Sequence, residues 1–192
     1  MRLLFATTNH GKLKEAAQLL SSQSLELLSV ADFPKLTDLD VTETGDSFEQ
    51  NSFIKAKAYG DLAQELTVAE DAGLVIAALN GQPGVKSARF APTAAARNQK
   101  LLQLLKNKAD RSAKFVSVLC LYDPASQKTE YFRGEVEGKI SLQTRGELGF
   151  DYDFIFIPTG QSQTFAELGP EAKNKISHRR QAIEKMKTLM LS

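Results

Sequence analysis

Glu70 and Asp71 stand side by side in the run Val68-Ala69-Glu70-Asp71-Ala72-Gly73-Leu74-Val75, in which every other residue is apolar or glycine. Neighbouring strand residues point to opposite faces. At most one of the two carboxylates is therefore expected to face a core, and the other to emerge at a strand end or cleft. A buried carboxylate without a counter-charge costs more than a domain of ordinary stability can absorb. The segment is either a solvated turn between two strands or a site where a metal ion or cationic ligand neutralises the acids.

The surrounding pattern alternates strands and helices. Leu3-Leu4-Phe5-Ala6 reads as a short buried strand, and Leu13, Ala16, Ala17 and Leu20 follow at helical spacing, so the polar loop between them joins a strand to a helix. Asp46 and Glu49 have the spacing of a capping box and predict a helix continuing through Ile54, Ala58, Leu62 and Leu66, with Ser47, Asn51 and Lys55 on another face. Residues 67–76 predict the strand carrying the acid pair, and Asn80-Gly81-Gln82-Pro83-Gly84 a loop. A helix starts at Pro92-Thr93, with Leu101, Leu102 and Leu105 in its apolar stripe. Residues 115–122, a turn at Asp123-Pro124 and residues 129–132 predict an antiparallel hairpin, followed by an alternating strand over 136–140. A strand over 154–158 and a helix over 177–191 close the pattern. Interleaved helices and hairpins predict a mixed α/β fold rather than a purely parallel sheet, in one domain over 1–192.

Charge and composition exclude several classes. With 24 Lys and Arg against 23 Asp and Glu, and no long basic run, the chain lacks the footprint of a nucleic-acid binder. The lone cysteine, Cys120, lies in an apolar run and reads as a packed hydrophobe, which together with the lack of a disulfide framework suits the cytoplasm. The apolar N-terminal run is too short for a signal peptide and no stretch approaches a membrane span.

Several segments can carry chemistry. Gly11-Lys12 after a strand is not a Walker A loop, since Ala6 and Leu13 stand where that motif needs Gly and Ser or Thr. Thr7, Thr8, Asn9, His10 and the amides around Gly11 can still hold phosphate oxygens at a helix N-terminus, with Lys12 adding a point charge; equally, Asn9 can cap the helix and Lys12 be solvated. Lys55 follows Asn51 by one helical turn, so an ammonium and an amide point the same way. Glu43 precedes that helix and can place a third carboxylate near the acid pair, a donor set that suits Mg²⁺ combined with phosphate oxygens and water. Phe150-Asp151-Tyr152-Asp153 offers aromatics that either stack on a nucleobase or belong to the core. Arg179 and Arg180 in the first turn of the last helix oppose its dipole, which is relieved if they face an anion or a base edge. Histidines are too few for a zinc cluster, and no nucleophile elbow is present.

Taken in order, these segments resemble the inosine triphosphate pyrophosphatase family, the XTP/dITP diphosphatases. The resemblance rests on Thr7-Thr8-Asn9-His10-Gly11-Lys12, Glu43-Thr44-Gly45 with Asn51 and Lys55, and Glu70-Asp71-Ala72-Gly73-Leu74. It continues through Gly81-Gln82-Pro83-Gly84, Gly149-Phe150-Asp151-Tyr152-Asp153, Lys173 and Ser177-His178-Arg179. It implies an elongated mixed β-sheet with flanking helices, two lobes around a central nucleotide-binding cleft, and a homodimer. It also implies Mg²⁺-dependent hydrolysis of ITP, dITP or XTP to the monophosphate and pyrophosphate, with Mn²⁺ a possible substitute. Asp71 matches the catalytic carboxylate and a metal ligand, with Glu43 and Glu70 supporting the metal. Thr7, Thr8, Asn9, His10, Gly11, Lys12 and Lys55 match triphosphate contacts. Ala72 stands where a substrate-contacting Ser is usual, and Phe150, Asp151, Tyr152, Asp153, Lys173, His178 and Arg179 match the surroundings of the base and sugar.

The chain departs from that pattern at Thr8, Glu70, Ala72, Asp151 and Phe154, where Gly, Asp, Ser, Gly and Pro are typical. Asp151 is the most consequential, because it adds a carboxylate and gives up glycine's access to positive φ. A Maf-like pyrophosphatase is the rival enzyme reading, and Ser177-His178-Arg179 argues against it. A non-catalytic nucleotide binder is the rival from another class, and Glu43, Lys55 and Asp71 argue against that.

Overall fold

The computed structural model describes residues 1–20 and 25–190; Leu191, expected at the end of the closing helix, lies outside the described residues. The elements are β1 (Arg2–Phe5), α1 (His10–Leu20), β2 (Glu26–Ser29), α2 (Phe48–Ala63), β3 (Thr67–Ile76), α3 (Ala94–Leu104), β4 (Ser112–Asp123), β5 (Lys128–Ile140), β6 (Phe156–Pro158), α4 (Phe165–Ile176) and α5 (His178–Met190). The strands form one sheet in the order β2-β1-β3-β4-β5-β6. β1 is parallel to β2 and to β3, whereas β5 and β6 are antiparallel. The expected mixed α/β sheet is thus observed. Among the described residues no helix is long and apolar enough to cross a membrane.

The chain divides into two compact units: residues 1–71, 117–133 and 181–192 form the first, and residues 72–116 and 134–180 the second. In the first unit the sheet is covered on both faces, and strand alternation decides which residue goes where. Leu3, Phe5, Val68 and Leu119 pack against Ala16 and Leu19 of α1 and Ala182, Ile183 and Met186 of α5. Leu4, Ala6, Ala69, Cys120 and Tyr122 pack on the other face against Ala56 and Tyr59 of α2 and Leu36. Burial pushes the Cys120 thiol up to about 12, so it is the inert packing residue expected from its apolar run. In the second unit, Leu74, Ile76, Phe115, Ile140 and Phe156 pack with Leu101 and Leu105 of α3 and Phe165 of α4.

β3 has the bounds expected of it, and several other elements differ. α2 is capped by Ser47, whose Oγ accepts the Gln50 N–H at 3.1 Å, one residue after the expected Asp46. Its buried residues are Phe48, Asn51, Ser52, Ala56, Tyr59 and Gly60, whereas Leu62 is exposed and Leu66 lies beyond the helix. Apart from Phe48 and Tyr59 that face is polar or small, since Asn51 reaches Asp71 on β3 and Gly60 meets the Tyr122 ring. The two strands expected over 129–132 and 136–140 are one strand, β5. The turn before it is fixed by Asp123, whose carboxylate accepts the Ala125 N–H and the Ser126 hydroxyl. A link this short joins only antiparallel neighbours. β6 begins at Phe156 rather than residue 154, because 150–155 wind into turns closed by the N–H groups of Asp153 and Ile155 on the carbonyls of Phe150 and Tyr152.

β2 and α4 are absent from the sequence reading. α4 contains Gly169-Pro170, a pair that reads as a break, and the chain does kink there, with Gly169 at φ 79. The helix starts regardless because Thr164 and Glu167 form a reciprocal capping box, the Thr164 hydroxyl also donating to the Arg145 carbonyl at 3.0 Å. Thr164→Ala is expected to lower stability by about 1–2 kcal/mol through loss of this cap. Urea unfolding should show a lower midpoint with unchanged slope; an unchanged midpoint would remove the cap from the account.

Candidate active site

Alternation along β3 explains how two adjacent acids are both buried. Glu70, 3% exposed, has the parity of Val68 and leaves the strand on the α1 side. Asp71, 5% exposed, has the parity of Ala69 and leaves on the α2 side. The expectation that only one could face a covered surface fails because helices close both faces of this part of the sheet.

Each carboxylate is met by its own lysine. Glu70 Oε2 lies 3.3 Å from Lys12 Nζ, and its Oε1 accepts the Ser117 hydroxyl at 2.6 Å. Asp71 Oδ1 lies 3.6 Å from Lys55 Nζ, which also donates to Glu43, and Asp71 Oδ2 accepts the Asn51 amide at 3.3 Å. Asn51 in turn accepts the Gly45 N–H at 2.8 Å, tying the loop of Glu43 to the acid. A Cβ on Gly45 would come within 2.6 Å of Gln50 Cβ and 2.8 Å of the Asn51 oxygen, so only glycine permits that approach. Glu43, Asn51, Lys55 and Asp71 are therefore one cluster. Its electrostatics are mixed: burial raises the Asp71 carboxyl above the ordinary range, Lys55 and Lys12 pull it down, and Glu43 pushes it up again.

The loop before α1 carries the helix cap open to it, without the solvated lysine. Asn9 Oδ1 accepts the Lys12 N–H at 3.1 Å, the cap expected of it, and Asn9 N–H reaches Thr7 Oγ1 at 3.2 Å. Thr8 and His10 are exposed, while Gly11 and Lys12 are half-buried. Lys12 is not a solvated surface charge, since its ammonium is engaged with Glu70.

In the second unit, residues 149–153 wind into a turn. Asp153, 2% exposed, accepts the Phe150 N–H at 3.0 Å and the Lys173 ammonium at 2.7 Å. Lys173 lies 4.2 Å over the Phe150 ring, and the Arg179 guanidinium 5.8 Å from the same ring. Gly149 has φ 128, and a Cβ there would fall 2.7 Å from the Asp153 carboxylate. Phe150, Asp153, Lys173 and Arg179 thus form a second cluster. Tyr152 and His178 are placed differently. Tyr152 is in the core with its hydroxyl donated to the Ser87 carbonyl at 2.7 Å, and burial pushes that hydroxyl well up. His178 is buried and stacked on Phe115, 4.7 Å between centroids and 8° between planes. Ala72 directly follows the acids on β3, and its side chain adds no polar group.

Sequence reasoning missed Ser117, Ser87, Arg97 and Asn98. Ser117 carried a signal, a hydroxyl in the apolar run over 115–122 on the strand next to β3. Ser87 donates to the Gly84 carbonyl and accepts the Leu74 N–H, and its contact spans distant sequence. Arg97 and Asn98 look like ordinary polar positions of a helix.

Two buried acids and two lysines thus converge on the third strand of a mixed α/β sheet, bringing hard oxygen donors and ammonium groups together. The chain belongs to the Ham1 family, whose profile matches residues 3–189. It is 39% identical to a protein of Aquifex aeolicus named dITP/XTP pyrophosphatase, over 97% of this chain and 95% of that one. A protein of Methanopyrus kandleri with the same name is 41% identical, over 96% and 94%. Among solved structures, a HAM1 protein from Coxiella burnetii superposes with a TM-score of 0.90 at 37% identity, covering 100% of this chain and 98% of that one.

Lys55→Met should remove the counter-charge of a buried carboxylate and cost about 3 kcal/mol near neutral pH. Because the Asp71 carboxyl is already raised, its protonated form stabilises the fold below the ordinary carboxylate range, and that contribution is lost as pH rises through the raised value. The variant's deficit, measured by urea unfolding, should therefore be smaller at mildly acidic pH than at neutral pH. An equal deficit at both would separate Lys55 from the charge of Asp71.

Proposed function

We propose that this protein is a nucleoside triphosphate pyrophosphohydrolase that hydrolyses deaminated purine nucleotides, ITP, dITP and XTP, to the nucleoside monophosphate and pyrophosphate. The observation that carries the reading is Asp71: a buried carboxyl raised by desolvation, oriented by Asn51 and flanked by Lys55 and the charge of Lys12. A general base works best with a pKa lifted toward the working pH. Asp71 takes a proton from water as the water oxygen bonds to the α-phosphorus. The α–β bridging bond then breaks, and the bridging oxygen leaves with pyrophosphate. Lys12, Lys55 and the loop of Thr7, Thr8, Asn9, His10 and Gly11 hold the phosphates and absorb charge on the leaving group, contacts typically worth roughly 10²-fold or more in rate.

The donor chemistry fits a divalent cation. Lys55 stands between Glu43 and Asp71 as a cationic stand-in, and the available donors are hard carboxylate oxygens. Mg²⁺ takes few protein ligands and completes its shell with phosphate oxygens and water; among the described residues no group of three or more His, Cys, Asp or Glu is placed to hold a metal ion. Glu43 and Asp71 would hold it, with Mn²⁺ a possible substitute, and Glu70 supports the site from the other face through Lys12. When bound, the metal polarises phosphoryl oxygens and offsets their charge.

The base is assigned to the second cluster. Phe150 offers a ring face, Asp151 and Asp153 shape the turn, and Lys173 and Arg179 supply cations. Tyr152 and His178 support these from the core, and Ala72 follows the acids within β3. Purines with a 6-keto oxygen accept hydrogen bonds from such donors, whereas adenine's amino group leaves them unpaired, at about 1–3 kcal/mol each. A homodimer and a cytoplasmic location complete the reading, the latter suited to the free thiol of Cys120.

Pyrophosphate release should be detected with ITP, dITP and XTP, should be far slower with ATP, and should stop on chelation and return with Mg²⁺. Asp71→Asn should reduce kcat by roughly 10²-fold or more. Comparable rates for ATP and ITP would contradict keto recognition, and near-normal turnover by Asp71→Asn would remove it as the base.

A further inference from the structure

Among the described residues, Asp151 is one of four non-glycine residues with positive φ, at 51°. Aspartate tolerates this region better than most residues but still needs something to hold it there. The neighbouring α3 supplies the hold. Arg97 Nη2 donates to Asp151 Oδ1 at 2.5 Å, and Asn98 Nδ2 donates to the Asp151 carbonyl at 2.9 Å. The guanidinium is itself fixed, because Nη1 donates to the carbonyls of Ala88 and Ala91 at 3.0 and 3.2 Å. The Arg97 side chain is 11% exposed and that of Asp151 34%, so the pair is sheltered rather than a freely solvated contact.

Asp151 lies between Phe150, whose ring meets Lys173 and Arg179, and Asp153, which accepts the Phe150 N–H and holds Lys173. The φ of residue 151 therefore sets how the ring and the carboxylate are presented. A right-handed φ there would carry Phe150 away from Asp153 and Lys173. Glycine at this position would need no side-chain clamp, since it reaches positive φ without strain. The clamp also commits the Asp151 carboxylate to a guanidinium, so that it does not oppose the oxygen-rich nucleotide.

We infer that Arg97 is a positioning residue: by clamping Asp151 in its left-handed conformation it holds the residue 149–153 turn in the shape that receives the purine base. The inference rests on the proposed nucleotide activity for its kinetic consequence, but not for its structural one. Its action depends on the residue at 151, so a double-mutant cycle isolates it from the general packing role of an arginine.

The experiment compares native enzyme, Arg97→Ala, Arg97→Lys, Asp151→Gly and the Arg97→Ala/Asp151→Gly double variant. The readouts are dITP kinetics, hydrogen exchange of residues 149–154 without nucleotide, and thermal melting to confirm folding. Arg97→Ala should raise KM about fivefold or more with kcat within about twofold, and Arg97→Lys should recover part of the loss. Exchange across the turn should quicken in Arg97→Ala. Added to Asp151→Gly, the same change should move KM by less than about twofold relative to that background and leave exchange unaltered. Equal effects in both backgrounds would overturn the inference and reduce Arg97 to a tether for Ala88 and Ala91, as would a fall in kcat with KM unmoved. If the native enzyme turned over no nucleotide, the functional proposal would fail while the exchange cycle still decided the role of Arg97.

Discussion

Two neighbouring carboxylates on a strand covered on both faces must each find a counter-charge, and the first unit is organised around that requirement. Glu70 finds Lys12, supplied by the first turn of α1, and Asp71 finds Lys55, one turn along α2 from Asn51. Removing water from Asp71 raises its carboxyl, while the lysines keep a negative charge tolerable there. Charge compensation and proton-accepting capacity thus come from the same few residues. The lysines that neutralise acids in the free protein are also suited to a polyphosphate, so a nucleotide and cation would exchange partners with a network already balanced. Preorganisation of this kind limits the rearrangement needed when substrate arrives.

The second unit answers a related problem with a turn. Asp153 gathers the Phe150 amide and the Lys173 ammonium, Tyr152 anchors the turn to Ser87, and Arg97 and Asn98 hold the left-handed Asp151. Lys173, on α4, meets both the Phe150 ring and the Asp153 carboxylate from outside the turn. Such support matters, because a binding group displaced by about an ångström can forfeit much of its effect.

Much of this was legible in the residues. Thr67–Ile76 could be delimited because an apolar, β-rich run ends in a glycine-bearing loop, and the acids within it call for counter-charges. The family resemblance links Lys12, Lys55, Glu43 and Asp71, whereas spacing places only Asn51 and Lys55 one turn apart on α2. What escaped has identifiable causes. Alternation alone could not show that both faces of β3 are covered, since that depends on α1, α2 and α5 arriving from distant sequence. The buried face of α2 was misjudged because Asn51, Ser52, Ala56 and Gly60 are polar or small, chosen for hydrogen bonds and close approach rather than hydrophobicity. Gly169-Pro170 concealed α4, and β2 is too short to carry a pattern. Arg97 and Asn98 act through one particular backbone conformation, which local sequence does not announce.

In the proposed reaction the Asp71 cluster directs water to the α-phosphorus of a nucleoside triphosphate. Hydrolysis of dITP in ¹⁸O-labelled water, with both products analysed by mass, tests it most directly. One labelled oxygen is expected in the monophosphate and none in the pyrophosphate. Label in pyrophosphate, or release of orthophosphate with a diphosphate, would place the attack elsewhere and contradict it.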